Sequence, residues 1–155
     1  MIEIVLQPPV AGKLFISALP GKYESIENFL EESRKNELTC VVGLISDYEI
    51  KHDSPCFCCS LKNETNLFPF QYIQYPVPGE GNPDSFCSYL KIIHDISLRL
   101  ISGEHILVHC NDGKRRAPEF VKVLMADIYN QQRTIAPGLH RYKRLDNNQI
   151  IVSTQ

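Results

Sequence analysis

The stretch that most constrains this chain runs from Ile106 to Arg116. Ile106-Leu107-Val108 is an unbroken apolar run, the pattern of a short buried strand. His109-Cys110-Asn111-Asp112-Gly113-Lys114-Arg115-Arg116 follows it directly, and helical spacing begins at Ala117. A strand that ends on a cysteine, turns through a tight loop and opens a helix is a physical device. The loop N–H groups converge on one point, and the helix N-terminus adds partial positive charge there. Such a nest binds a tetrahedral oxyanion and favours the thiolate of a cysteine placed in it. The planar fork of Arg116 matches two phosphate oxygens. Gly113 tolerates positive φ and leaves room for a ligand. Cys110 is therefore the nucleophile candidate. Asn111, Asp112, Gly113, Lys114, Arg115 and Arg116 are the phosphate-binding candidates. The plain structural reading, in which Cys110 is a buried core thiol, has to treat this ordered succession as coincidence.

His-Cys, five residues and Arg, with Gly113 three residues after the Cys, resembles the signature of the cysteine-dependent protein tyrosine and dual-specificity phosphatases. The resemblance implies that Cys110 attacks phosphorus, that Arg116 holds the phosphoryl group, and that His109 supports the thiolate. It implies no metal or organic cofactor. Two positions depart from the family pattern. Ala117 stands where the family has a Ser or Thr that assists the leaving thiolate, which slows the expected second step. Asp112 stands where the family often has Ala, and Cys-x-Asp-Gly-x-x-Arg is similar to the myotubularin phosphoinositide phosphatases.

The length of 155 residues suits one domain with a real core. The formal charge of −2 gives no global pull toward nucleic acid or an acidic surface, so stable nucleic-acid binding is not expected. The cations at Lys114, Arg115 and Arg116 are a local feature. No apolar run is long enough to span a membrane, and none reads as a secretory signal. Six cysteines without such a signal read as free thiols in a reducing compartment, and the expected location is cytoplasmic.

In chain order, Met1 to Leu6 and Leu14-Phe15-Ile16 read as strands. Ser25 reads as the N-cap of a helix that stops at Asn36. Thr39 to Ile45 reads as a buried strand. Short helices are expected near Asp47 to Ile50 and near Ser60. Cys56, Cys58 and Cys59 lie there with His52, but without the ligand spacing of a metal site. Phe70 to Val77 is a further strand. Asn82-Pro83-Asp84 reads as a helix start, with Gly103 as its C-terminal stop. The helix from Ala117 to about Tyr129 is apolar nearly all round, as for a buried helix. The order points to α/β architecture, a mainly parallel sheet with helices on both faces. A ligand loop at a strand's carboxyl end belongs in such a sheet. The resemblance implies the same fold, of the dual-specificity type, over about Lys13 to Asn130. Residues 131–155 depart from it as an atypical tail, with a turn at Ile135-Ala136-Pro137-Gly138 and a strand-like Gln149 to Val152.

Phosphoryl transfer also needs an acid to protonate the leaving oxygen. The stretch Tyr75 to Asp84 is similar to the acid loop of the cyclin-dependent-kinase-associated dual-specificity phosphatases. Anchored on Pro83-Asp84, the family's acid falls on Gly79, which has no side chain. Glu80 is the adjacent carboxyl, one methylene longer, and is the first acid candidate. A solvated loop carboxylate is an equal reading of it. Asp84 is a weaker candidate, since a helix start explains it. Asp112 is a third, although a carboxylate inside an anion loop more simply bonds loop N–H groups or faces solvent.

Three functions compete. The first is a dual-specificity phosphatase that acts on phosphoprotein through a phosphocysteine. Lys114 and Arg115 leave open a polyanionic substrate such as a phosphoinositide or an RNA 5′ end. The second is a pseudophosphatase, a phosphoryl-binding module with little turnover, toward which Gly79 and Ala117 lean. The third, a sulfur transferase of rhodanese type, ranks last because such loops are usually shorter.

Overall fold

The computed structural model describes residues 1–6, 10–62, 68–79, 83–135, 142–144 and 150–152. Its centre is a five-stranded sheet. Strand β1 is Ile2–Ile4, β2 is Leu14–Ser17, β3 is Cys40–Gly43, β4 is Gln71–Gln74 and β5 is Ile106–His109. Their order is β1-β2-β5-β3-β4, and only β1 runs antiparallel to its neighbour. A separate two-stranded antiparallel sheet joins β6, Tyr142–Arg144, to β7, Ile150–Val152.

Among the described residues, five helices connect these strands: α1 Ile26–Lys35, α2 Asp47–Asp53, α3 Pro55–Lys62, α4 Phe86–Ile101 and α5 Arg116–Ile135. Parallel crossovers are right-handed. The chain steps one way along the sheet from β2 to β3 to β4, then back from β4 to β5. The α1 to α3 connections therefore cover one face, and α4 covers the other. Aromatic contacts agree. Phe29 of α1 meets Phe57 of α3 edge-on, while Tyr89 of α4 meets Phe120 of α5 edge-on. With both faces covered, every residue of β3 and β5 is buried, which is why these strands read as continuous apolar runs.

The carboxyl end of β5 is thus a switch point, flanked by strands whose connections leave toward the opposite face. Register aligns the strand ends there. Ser17 and Gly43 both pair with His109, so the loops after β2, β3 and β5 emerge together. Backbone bonds tie them: Leu19 N–H to Asn111 O at 3.3 Å, and Leu44 N–H to His109 O at 2.9 Å.

Several boundaries differ from the expectation. Helix α4 is capped by Ser85, whose extended backbone lets its Oγ accept the N–H of Ser88. Pro83 and Asp84 lie before that cap, so the Asn-Pro-Asp signal is not the helix start; Asn82 is outside the described residues. Within α4, Phe86 and Leu90 are exposed, whereas Tyr89, Ile93, Ile96 and Leu100 are buried. Helix α5 begins one residue early, at Arg116, and includes Ile135 rather than turning there. The other residues of that turn, 136–138, are outside the described residues. Met125 and Tyr129 are exposed, so α5 is buried along one side and not all round. By contrast Ser25 caps α1 and Asn36 ends it, as the sequence indicates.

Candidate active site

Cys110 is the first residue after β5 and is fully buried. The loop from 110 to 115 then turns into the N-terminus of the twenty-residue α5. Gly113 takes φ +73°, and a Cβ there would lie 2.9 Å from Ser17 and Ala18 backbone atoms. No other residue fits both the left-handed backbone and that gap. The neighbouring cleft, of about 630 Å³, is lined by Lys22, Tyr23, Gly79, Asn111, Asp112, Arg115 and Arg116.

Arg116 is nearly buried, at 8% exposure, and is fixed from several sides. Nη1 donates to Leu44 O at 3.1 Å, to Val77 O at 3.0 Å and to Glu49 Oε2 at 3.1 Å. Nη2 donates to Glu49 Oε1 at 2.5 Å. A guanidinium has five N–H groups in a rigid fork. These bonds use the Nη1 pair and one Nη2–H. The Nε–H and the other Nη2–H, which share one edge, have no partner among the described residues. That edge has the geometry for two oxygens of one anion.

Glu49 was not among the candidates read from sequence. It closes a capping box on α2. Ser46 Oγ accepts the Glu49 N–H, and Glu49 Oε2 accepts the Ser46 N–H at 3.0 Å. Burial opposes its ionisation, yet the bonds from Arg116 and Ser46 outweigh that and hold its carboxyl below the ordinary range. Ser46-x-x-Glu49 was the readable signal: it marks a helix start, though not the partner of the acid.

His109 is fully buried, and its Nε2 lies 3.1 Å from Tyr72 Oη. Loss of solvation pushes its pKa down to about 4, so the ring is neutral near pH 7 and brings no positive charge to the sulfur. The ring stacks on Tyr72 and meets Phe57 edge-on. Gly43 makes room for this pair, since a Cβ there would sit 2.0 Å from Tyr72 Oη and 2.9 Å from His109 Nε2.

The remaining candidates divide. Asn111 forms a rim cluster: its Nδ2 donates to Asp53 Oδ2 at 2.6 Å, and its Oδ1 accepts from Lys22 Nζ. Lys22 also pairs with Asp53 at 3.7 Å. Asp112 turns its Oδ1 back onto the Lys114 N–H at 3.0 Å, with the Cys110 thiol donating to the same oxygen at 3.7 Å. The Lys114 N–H bond leads the causes that hold the Asp112 carboxyl below its ordinary range. Lys114 and Arg115 are exposed, and neither forms a salt bridge among the described residues. Gly79 lines the cleft, and a Cβ on it would meet open space. Asp84 is exposed, two residues before α4. Glu80 lies outside the described residues. All six cysteines are free thiols, with Cys56 and Cys59 exposed on α3 and Cys58 buried. Among the described residues no group of three His, Cys, Asp or Glu side chains forms a metal site. No described helix is long and apolar enough to cross a membrane.

No family model matches this chain, and no curated protein does. Solved structures match it. Kinase associated phosphatase, with its catalytic-site cysteine substituted by serine, is similar at TM-score 0.60 and 18% identity over 76% of this chain. The chain spans 65% of the length of that protein. Tk-PTP in its active form covers 86% of this chain at TM-score 0.49 and 19% identity, with 88% of its own length covered. The PTP-2 phosphatase of Cydia pomonella covers 92% of this chain at TM-score 0.49 and 15% identity, with 94% of its own length covered. The fold is that of the protein tyrosine and dual-specificity phosphatases, as the loop's resemblance implied.

Proposed function

We propose that this chain hydrolyses phosphate monoesters through a phosphocysteine. One observation carries the reading. A buried cysteine at the switch point shares its loop with an arginine whose unbonded edge keeps two N–H groups in one plane. In the first step Cys110 Sγ attacks phosphorus, the S–P bond forms and the bond to the leaving oxygen breaks. Loop N–H groups and the Nε–Nη2 edge of Arg116 carry the charge of the three equatorial oxygens. Glu80 gives its proton to the leaving oxygen, with Asp84 as the weaker candidate. Water then attacks phosphorus and gives a proton to the Glu80 carboxylate left by the first step, the S–P bond breaks to release the Cys110 thiolate, and phosphate leaves. Ala117 offers no hydroxyl to the departing sulfur, so this second step is the slow one. His109 and Glu49 act through other groups. His109 fixes the end of β5, and Glu49 fixes the plane of Arg116.

A phosphoprotein is the substrate class that the dual-specificity resemblance suggests. The test is hydrolysis of an aryl phosphate and an alkyl phosphate across pH 5 to 8, comparing native chain, Cys110→Ser and Glu80→Gln. Turnover that needs the thiol supports the reading. Equal inertness of native chain and Cys110→Ser on both substrates overturns it.

A second reading, a phosphoryl-binding module, is favoured by Gly79. Gly79, on which the resemblance places the family's acid, lines the cleft and carries no side chain. Tight oxyanion binding without turnover would establish it.

A further inference from the structure

The carboxylate of Asp112 lies within the loop that the proposed reaction needs for phosphate. Its Oδ1 holds the Lys114 N–H at 3.0 Å and lies 3.7 Å from the Cys110 sulfur. A nest acts by aiming backbone N–H groups at an anion's oxygens, and here one N–H of the loop is already bonded to an oxygen. We propose that Asp112 sets which anions this loop accepts: its carboxylate is an internal occupant of the phosphate seat, and an incoming oxyanion must displace it. This rests on the reading of the loop as a phosphoryl site.

The surrounding charges support the assignment. Arg116 is matched by Glu49, and Lys22 by Asp53. Lys114 and Arg115 are exposed and form no salt bridge among the described residues, although the Lys114 charge also helps to lower the Asp112 pKa. The hydrogen bond from Lys114 keeps Asp112 ionised near neutral pH. A phosphate dianion in the seat would then face a like charge at close range, which opposes binding. Asp112 is exposed, so turning outward toward Lys114 and Arg115 needs no repacking of the core. The seat therefore discriminates against small free oxyanions such as the phosphate product. It favours a phosphoryl ester that brings further contacts to the rim at Lys22, Asn111 and Arg115.

The experiment is calorimetric titration of the full chain with orthophosphate and with tungstate, in native form and as Asp112→Asn and Asp112→Ala. Asp112→Asn keeps the shape and an acceptor for Lys114 but loses the charge; Asp112→Ala loses both. Each variant is checked for native-like thermal unfolding. The expected result is binding about 10-fold tighter or more in Asp112→Asn, the order of effect of one close like charge. Asp112→Ala should shift in the same direction. Folded variants that bind no tighter than the native chain overturn the assignment and leave the loop reading intact. Failure of all three proteins to bind either anion overturns both.

Discussion

Glu49 meets the guanidinium of Arg116 with both carboxylate oxygens, Oε1 2.5 Å from Nη2 and Oε2 3.1 Å from Nη1. The same Oε2 accepts the N–H of Ser46, so the N-terminus of α2 and the loop arginine share one acid. The pair leaves a single edge of Arg116 for the cleft. Replacing Glu49 by Gln keeps the size but loosens that plane. A fall in kcat/KM of about 10-fold to 100-fold is expected, larger in kcat than in KM, because the clamp matters most for the transition state. Steady-state kinetics on an aryl phosphate check this.

The same pair gives a pH signature. The folded-state pKa of Glu49 is depressed below its ordinary 4.5. Its stabilising contribution is therefore fully present above about 4.5 and is lost as the pH falls through the folded value. Urea unfolding between pH 6 and pH 3 should show a smaller loss of stability in Glu49→Gln than in the native chain. Identical slopes would contradict it.

His109 acts over a different window. Burial depresses its pKa from 6.5 to about 4, so the unfolded chain binds a proton that the folded chain refuses. Stability is unaffected above about 6.5 and falls by about 3 kcal/mol as the pH drops to about 4. Comparing native chain and His109→Gln by urea unfolding at pH 7 and pH 5 isolates this, because the variant lacks the titration. Tyr72→Phe should cost about 1 to 3 kcal/mol, since it leaves Nε2 of a buried ring without its hydrogen-bond partner.

Why some of this was legible in sequence and some was not follows from how local each signal is. The loop, its strand and α5 are contiguous, and a Cys, a Gly and an Arg at fixed spacing carry their own geometry. Ser25 and Asn36 likewise act within one turn of their helix. Glu49 lies 67 residues from Arg116, and nothing local marks the two as partners. Tyr72 and Gly43 meet His109 only through the register of β4, β3 and β5. Asn82-Pro83-Asp84 and Ser85 both carry cap chemistry, so sequence alone does not fix the start of α4. The chain uses the one whose side chain reaches the Ser88 N–H.

Gly113→Ala tests the seat itself. The residue would need φ +73° and would press a Cβ to 2.9 Å from the backbone of Ser17 and Ala18. A destabilisation of about 1 to 3 kcal/mol is expected, from the strained backbone and the crowding. Because the loop must shift to relieve the contact, tungstate affinity should fall by more than 10-fold in protein that is still folded. Unchanged affinity would show that the loop tolerates a different backbone.

Gly79 offers a gain-of-function test of the acid. Gly79 lines the cleft and an added Cβ there meets open space, so a side chain is accepted without steric conflict. Glu80→Gln should lower turnover of an alkyl phosphate by about 10²- to 10⁴-fold and spare an aryl phosphate, whose leaving group needs little protonation. Adding Gly79→Asp to that variant should restore much of the alkyl rate.

The central claim is that Cys110 carries the phosphoryl group. It is tested most directly by quenching the native chain in acid during turnover of an aryl phosphate and measuring the mass of the peptide that contains Cys110. If Ala117 slows hydrolysis as proposed, a substantial fraction should carry one phosphoryl group, and Cys110→Ser should show neither the adduct nor turnover. An unmodified Cys110 peptide from a chain that is turning over, with Cys110→Ser equally active, would contradict the account.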